Sequence, residues 1–569
     1  MNEKNRNRTP QPNRLIRDAA SAPALRGLSR DMIQRTLPYG EREIHPEGNL
    51  LFSRGDRNVD FFIVLEGHID LSEHRQDRLG IPTKTLLVGD FSGEMDLLSG
   101  RTALQSCKAG KKSVTLRIEP AKLIELMRSE PDVADLIVRV WIDRRATLVE
   151  DARCGVTVIG YTRDADTVRM EQFFVRNGYP HSVINAEASS NADLLLSGLS
   201  LAPRELPVVF LPDHRVLRNP SNEVLARELG ISHVCCTSDT FDVAVIGAGP
   251  AGLAAAVYAA SEGLLTIVLE GNAPGGQAGT SSKIENYLGF PVGVSGHELA
   301  GRAEIQAQRL GARLEVSRPA VGIEFDQNLN VIRLADGNTV LARSVVIATG
   351  ARYRKLDAPN YERFEHTQIH YAATAVESRR CKGQVVAVVG GGNSAGQAAL
   401  HLARVAAEVH MVVRGGDLRA TMSDYLVRRI RSSPQIVLHL KSEVCSVEGD
   451  DRMTGVTLGG TDGGVRSLPI TDLFVMIGAS PNTDWLHGKI ELDRSGFVKT
   501  GTMVAREDRL ETSRPGIFAV GDVRSESVKR VASAVGEGSV VISYVHQYLD
   551  GLAERLQEDR DISESQLEA

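Results

Sequence analysis

Twice in this chain a run of mostly β-branched residues ends in a glycine-rich turn that opens an alanine-containing helix. The first copy reads Val243-Ala-Val-Ile-Gly247-Ala-Gly249-Pro250-Ala251-Gly252, and the second reads Val385-Val-Ala-Val-Val-Gly390-Gly-Gly392-Asn393-Ser394-Ala395. Few folds accommodate that pattern. It specifies a buried strand, a tight turn and a helix packed back along the strand, the unit of a parallel α/β sheet. The glycines permit the turn, close approach of backbone N–H groups to a pyrophosphate, and close helix–strand packing. The helix N-terminus then faces the phosphate charge. With Gly390 lying 143 residues after Gly247, two nucleotide sites are expected on one chain.

The residues downstream of each copy distinguish the two sites. Glu270 lies 23 residues after Gly247, at the end of the predicted strand Leu265–Leu269, where a carboxylate can hold a ribose hydroxyl. The same count from Gly390 reaches Val413, followed by Arg414, with Arg419 about a turn further on. A guanidinium in place of the acid favours the 2′-phosphate of NADPH, with NADH as the alternative and solvated surface arginines as the bland reading.

The chain has 569 residues, which at ~150 per domain suggests about four domains. Lys and Arg total 66 against 72 Asp and Glu, for a net charge of −6, so neither DNA nor an anionic membrane is an expected partner. The uncharged runs Val243–Ser261 and Gln384–Ala403 read as buried strand–turn–helix units rather than membrane helices. No apolar signal segment opens the chain, and the expected compartment is the cytoplasm. Six cysteines (Cys107, Cys154, Cys235, Cys236, Cys381 and Cys445) include no C-x-x-C pair, and no metal site is expected.

Further segments accompany the first fingerprint: Gly275-Gly276-Gln277, Ile284-Glu285-Asn286-Tyr287, Ile347-Ala348-Thr349-Gly350 and Gly516-Ile-Phe-Ala-Val-Gly521-Asp522-Val523. With these, residues 241–549 resemble the low-molecular-weight thioredoxin reductases, homodimers that bind FAD and NADPH. The resemblance implies two Rossmann-like domains, with an NAD(P)H domain (357–481) inserted into an FAD domain (237–356 and 482–550), and a tail at 551–569. It assigns FAD to Gly247, Gly249, Pro250, Ala251, Gly252, Glu270, Gly276, Gln277, Asn286, Ala348, Thr349, Gly350 and Gly521. Asp522 would bind the ribityl chain, and Lys529, Arg530 and Val531 would sit against the flavin. NADP falls to Gly390, Gly392, Asn393, Ser394, Ala395, Arg414, Arg419, Ile477 and Gly478.

Where that family carries Cys-Ala-Thr-Cys, this chain reads His370-Tyr371-Ala372-Ala373-Thr374-Ala375. Ala372 and Ala375 stand at the cysteine positions, and a methyl group forms neither thiolate nor disulfide. No catalytic side chain is therefore expected. The family's His-Arg-Arg-x-x-x-Arg grip also departs, reading Val413-Arg414-Gly415-Gly416-Asp417-Leu418-Arg419. The expected function is hydride transfer from NADPH to FAD and on to another acceptor: a quinone, an iron–sulfur or flavin carrier, oxygen, or a disulfide presented directly to the flavin. A non-enzymatic flavin sensor is the alternative. A thioredoxin reductase using a displaced thiol such as Cys381 is the third reading.

After an N-terminal tail and short helix (1–36), the segment 37–152 resembles a cyclic-nucleotide-binding domain. Asp60-Phe-Phe-Ile-Val-Leu-Glu66-Gly67 matches a strand and its turn, and Phe91-Ser92-Gly93-Glu94 with Arg101-Thr102-Ala103 matches the phosphate cassette. By resemblance Glu94 takes the ribose 2′-OH and Arg101 the cyclic phosphate, with cAMP or cGMP as candidate effectors. Seven positions separate Glu94 from Arg101, two or three fewer than is usual there. Residues 153–236 resemble a glutaredoxin- or thioredoxin-like module with Asp166-Thr167-Val168-Arg169 in place of Cys-x-x-Cys, hence redox-dead. An α/β unit after the β-roll, where a helix-turn-helix would stand in a transcription factor, argues against DNA binding.

Overall fold

Backbone conformation obeys the punctuation of the sequence from its first helix. The computed structural model describes residues 27–72, 82–94, 96–151, 155–161, 164–186, 205–213, 215–232, 239–281, 283–284, 286–326, 329–365, 367–371, 373, 377–378, 381–450, 452–460, 464–486 and 488–567. Ser29 caps the helix Arg30–Thr36, its Oγ accepting the Met32 N–H at 3.2 Å. Among the described residues, seven short strands between Glu41 and Ile118 then form two antiparallel sheets, the expected β-roll. Phe61, Ile63, Phe91 and Trp141 fill the roll's core, with Trp141 edge-on to Phe61 at 5.8 Å.

The segment after the roll forms two helices, Pro120–Ser129 and Pro131–Glu150. Pro131 has no N–H to continue the first helix and pushes Glu130 out of helical geometry, to φ −122° and ψ 77°. The middle unit is a four-stranded sheet in the order Val216–Arg218, Val208–Phe210, Val156–Gly160, His181–Asn185. Only the last pair is parallel. Its helix Ala165–Arg176 is capped by Asp164, whose carboxylate accepts the Thr167 N–H at 2.8 Å. The Leu206–Pro207 peptide is cis.

Both fingerprint strands lie inside parallel arrays, and this explains their apolar sequences. Thr240–Ile246 runs between Thr266–Glu270 and Thr339–Ile347. Val385–Val389 runs between Glu408–Val413 and Asp472–Val475. The strand Ile517–Ala519, arriving after the second array is complete, adds to Thr339–Ile347 in the first. The second array is thus an insertion into the first, and the chain crosses over and back through one antiparallel ribbon, Ala351–Tyr353 with Ala479–Pro481. The C-terminal segment, expected as a tail, is helical through Leu567. It continues the helix Val531–Leu567, whose Val541, Ile542 and Val545 share a core with the fingerprint helix Pro250–Ser261.

Candidate functional site

The first cradle is built at the end of the strand Thr240–Ile246. Gly247 adopts φ +105°, and a Cβ there would stand 2.5 Å from the Ala348 carbonyl oxygen, so only glycine lets the two strand ends close. Gly252 supports the same closeness from the helix, since its Cβ would meet the Gly247 carbonyl at 1.8 Å. The helix Pro250–Ser261 starts at Gly249 with no side chain capping its amides. Those N–H groups are available to an anion. Glu270 is fixed beside them, its Oε2 accepting the Ala248 N–H at 2.8 Å and its Oε1 the Asn272 N–H at 2.9 Å.

On the other side of the cradle, Thr349 donates to the Asn482 carbonyl at 2.8 Å and accepts the Asn482 side-chain amide on its own carbonyl at 2.8 Å. Gln277 donates its amide to the Ala351 carbonyl, tying the loop after Glu270 to the ribbon. Asp522 lies in the turn Gly521–Val523, and burial raises its carboxyl above the usual range. The Lys529 ammonium donates to the Asp522 carbonyl at 3.1 Å and lies 4.5 Å over the Phe497 ring. Arg530 and Val531 come next, at the start of the last helix. A bare helix N-terminus, the fixed Glu270 carboxylate and the half-buried Asp522 fit the two ends of FAD.

The second cradle repeats this geometry with different chemistry at its rim. Gly390 has φ +143°, and a Cβ there would stand 2.4 Å from the Met476 carbonyl oxygen. Gly392 begins the helix Asn393–Leu402 without a side-chain cap and with open space where its Cβ would be. Asn393 is turned toward the next loop, its Oδ1 accepting the Ser423 N–H at 2.8 Å, while Ala395 packs inward and Ser394 is exposed. Arg414 and Arg419 are both exposed beyond the strand Glu408–Val413, Arg419 lying 3.7 Å from Asp424. The Gly478 carbonyl, after Ile477, accepts the Arg354 N–H at 3.0 Å. This rim fits a phosphorylated ribose.

Residues 241–538, more than half the chain, match the pyridine nucleotide-disulphide oxidoreductase family. The chain belongs to that family. A pyridine nucleotide-disulphide oxidoreductase of this kind is an FAD-dependent enzyme, and its cofactors fit the two cradles. Residues 42–130 match the cyclic nucleotide-binding domain. The NADPH-dependent thioredoxin reductase 3 of Arabidopsis thaliana is 36% identical over 316 residues, 54% of this chain and 58% of that protein. The thioredoxin reductase of Escherichia coli O157:H7 is 34% identical over 316 residues, 54% of this chain and 96% of that one. The structure of thioredoxin reductase from Giardia duodenalis superposes with a TM-score of 0.51 at 28% identity, covering 55% of this chain and 100% of that chain.

Two further features of this oxidoreductase lie outside the two fingerprints. Arg176, at the end of the middle unit's helix, donates to the carbonyls of Ala273 and Gly276 at 3.3 Å each. These belong to the loop after Glu270, whose negative charge also acts on the guanidinium. Arg176 thus brings a charge from a separate unit to the adenosine end of the FAD cradle. Its neighbour Asn177 and Asn222 both reach Asn272, at 3.5 and 3.3 Å.

The second feature is the cassette of the head. Gly93, Glu94 and Arg101 line one cavity of about 30 Å³, with Phe52, Leu71 and Arg144. Arg145 pairs with Glu94 at 3.3 Å and with Asp96. The Arg101 guanidinium is turned toward the other units, and Thr102 donates to the Leu229 carbonyl at 3.1 Å. Ala372 and Ala375 lie outside the described residues.

Proposed function

We propose that this protein moves hydride from NADPH to FAD and hands the electrons to an acceptor outside the chain, with no internal dithiol between them. Two complete nucleotide cradles on a chain without a C-x-x-C pair carry this reading. Bound FAD supplies the hydride-accepting ring. The chain's own residues position and polarise: Glu270 and the bare amides after Gly249 take the adenosine and phosphate end, and Asp522 the ribityl end. Arg414 and Arg419, with no carboxylate closing the strand before them, favour the 2′-phosphate of NADPH over NADH.

The thiols of the described residues are poor relays. Cys381 is fully buried, and burial pushes the Cys107 thiol up to about 12. Cys445 is exposed on the strand Ser442–Gly449, while Cys154, Cys235 and Cys236 lie outside the described residues. The acceptor is then a small molecule such as a quinone, or a redox protein that brings its own disulfide or cofactor to the flavin.

We read the protein as a cytoplasmic homodimer. An apolar groove of about 340 Å³ between the helices Pro250–Ser261 and Gly296–Arg309, lined by Leu253, Tyr258, Phe290 and Leu299, supports a second copy as its occupant. No helix among the described residues is long and apolar enough to cross a membrane.

Steady-state NADPH oxidation with a soluble quinone, ferricyanide and oxidised thioredoxin tests the reading. Turnover with the first two is expected, and Cys381→Ala should keep it within about twofold. Loss of turnover in Cys381→Ala would instead favour a displaced thiol.

A further inference from the structure

Every cassette residue of the head already has a protein partner. Arg144 donates to the Gly93 carbonyl at 2.9 Å, and Arg145 holds Glu94 and Asp96. Arg101 divides its guanidinium between two other units: Nη1 donates to the Asn177 carbonyl at 3.2 Å in the middle unit, and Nη2 to Glu304 Oε1 at 3.4 Å on the helix Gly296–Arg309 of the flavin domain. Thr102 bonds the Leu229 carbonyl in the middle unit. Three more bonds join the head to the other units at this interface. Arg128 donates to the Leu310 carbonyl, Arg309 to the Met127 carbonyl at 3.4 Å, and Arg57 to the Ser232 carbonyl at 3.1 Å.

We propose that the cassette is a latch: the atoms that would hold a cyclic phosphate here hold the head onto the oxidoreductase half, so that cyclic-nucleotide binding and head docking exclude each other. The proposal rests on reading residues 42–130 as a nucleotide receptor and adds how that receptor is coupled. Arg101 lines this cavity while its guanidinium bonds the other two units, so a phosphate that takes Arg101 competes with those bonds.

The cavity also retains unmet bonding capacity. Arg144 Nε, on a residue that lines it, is buried with no hydrogen-bond partner, which suits a ligand that brings an acceptor. A phosphate that draws Arg101 away leaves the half-buried Glu304 without its direct cation partner, with Arg145 and the like charge of Asp96 nearby. Such a carboxylate is better accommodated once the interface opens to water. The middle unit links this event to the flavin: Asn177, held by Arg101, adjoins Arg176, held by the loop at Ala273 and Gly276. Linkage makes the coupling reciprocal, so weakening the docked state strengthens nucleotide binding by the same factor.

The test uses the full-length flavoprotein, with cAMP and cGMP as probes in calorimetry and hydrogen exchange. Glu304→Ala is expected to bind one of the two roughly tenfold more tightly than the unaltered protein, Glu304→Gln to fall between, and Arg101→Ala to bind neither. Saturating nucleotide should raise amide exchange across 296–309 and 222–232 toward that of nucleotide-free Glu304→Ala. Flavin absorbance reports that each variant is folded. Equal affinity in the unaltered protein and Glu304→Ala, with unchanged exchange, overturns the exclusion. No binding of either nucleotide to Glu304→Ala overturns the receptor reading and the latch with it, a failure separable from the first because no heat of binding is seen.

Discussion

Glu94 has too few partners for a buried carboxylate. It shares Arg145 with Asp96 and lies near Arg144, yet burial outweighs these neighbours and raises its carboxyl to about 7. The folded head holds that proton up to about pH 7 and the unfolded chain only to about 4.5. Between these values the unfolded state binds fewer protons, so stability falls as pH rises from about 4.5 to about 7 and then levels off. The loss is on the order of 3 kcal/mol. Glu94→Gln carries no such proton, and its melting temperature is expected to change far less between pH 5 and pH 8 than that of the unaltered protein.

Other single residues lead to binding measurements. Arg176→Ala should weaken FAD retention about tenfold, read by flavin release on dilution, because two loop carbonyls lose their donor and Glu270 its nearby cation. Arg414→Ala should raise KM for NADPH by about tenfold while leaving NADH unchanged. The placement of Glu270 and Arg414 at the ends of the strands after the two fingerprints was legible from spacing, 23 and 24 residues after Gly247 and Gly390. Arg176 and Glu304 were not. Their partners lie 97 to 203 residues away in other units, and no local pattern encodes such a contact.

At the scale of elements, both cradles depend on a strand end that closes on its neighbour through a glycine. Gly247→Ala places a methyl against the Ala348 carbonyl in a backbone region that L-residues avoid. The variant is expected to be isolated without flavin and to melt at a lower temperature, measured by absorbance and by thermal unfolding. The strand–turn–helix units were legible because apolar β-branched runs and glycine turns are local rules. Pro131 also carried its signal in the sequence: a proline inside a helical period divides it, and two helices meet there. The length of the last helix had no such marker. Its persistence through Leu567 accompanies the packing of Val541, Ile542 and Val545 onto the fingerprint helix, a tertiary effect.

For the whole molecule, the order of units places a cyclic nucleotide-binding domain and an α/β unit ahead of the flavin domain. A β-roll head and a four-stranded middle unit both rest on the flavin domain, the head at Glu304 and the middle unit at Ala273 and Gly276. The middle unit keeps no dithiol where its resemblance would place one. Arg169 there bonds Asp166, Asn219, Asn222 and the Pro220 carbonyl, work that braces the unit rather than transfers electrons. The central claim is that flavin is the only redox group of the chain, and anaerobic titration with NADPH tests it most directly by counting electrons. One equivalent of NADPH per flavin should bleach the yellow absorbance completely, with no further uptake. Uptake of two equivalents would reveal a hidden dithiol and contradict the account, as would a flavin that NADPH fails to bleach.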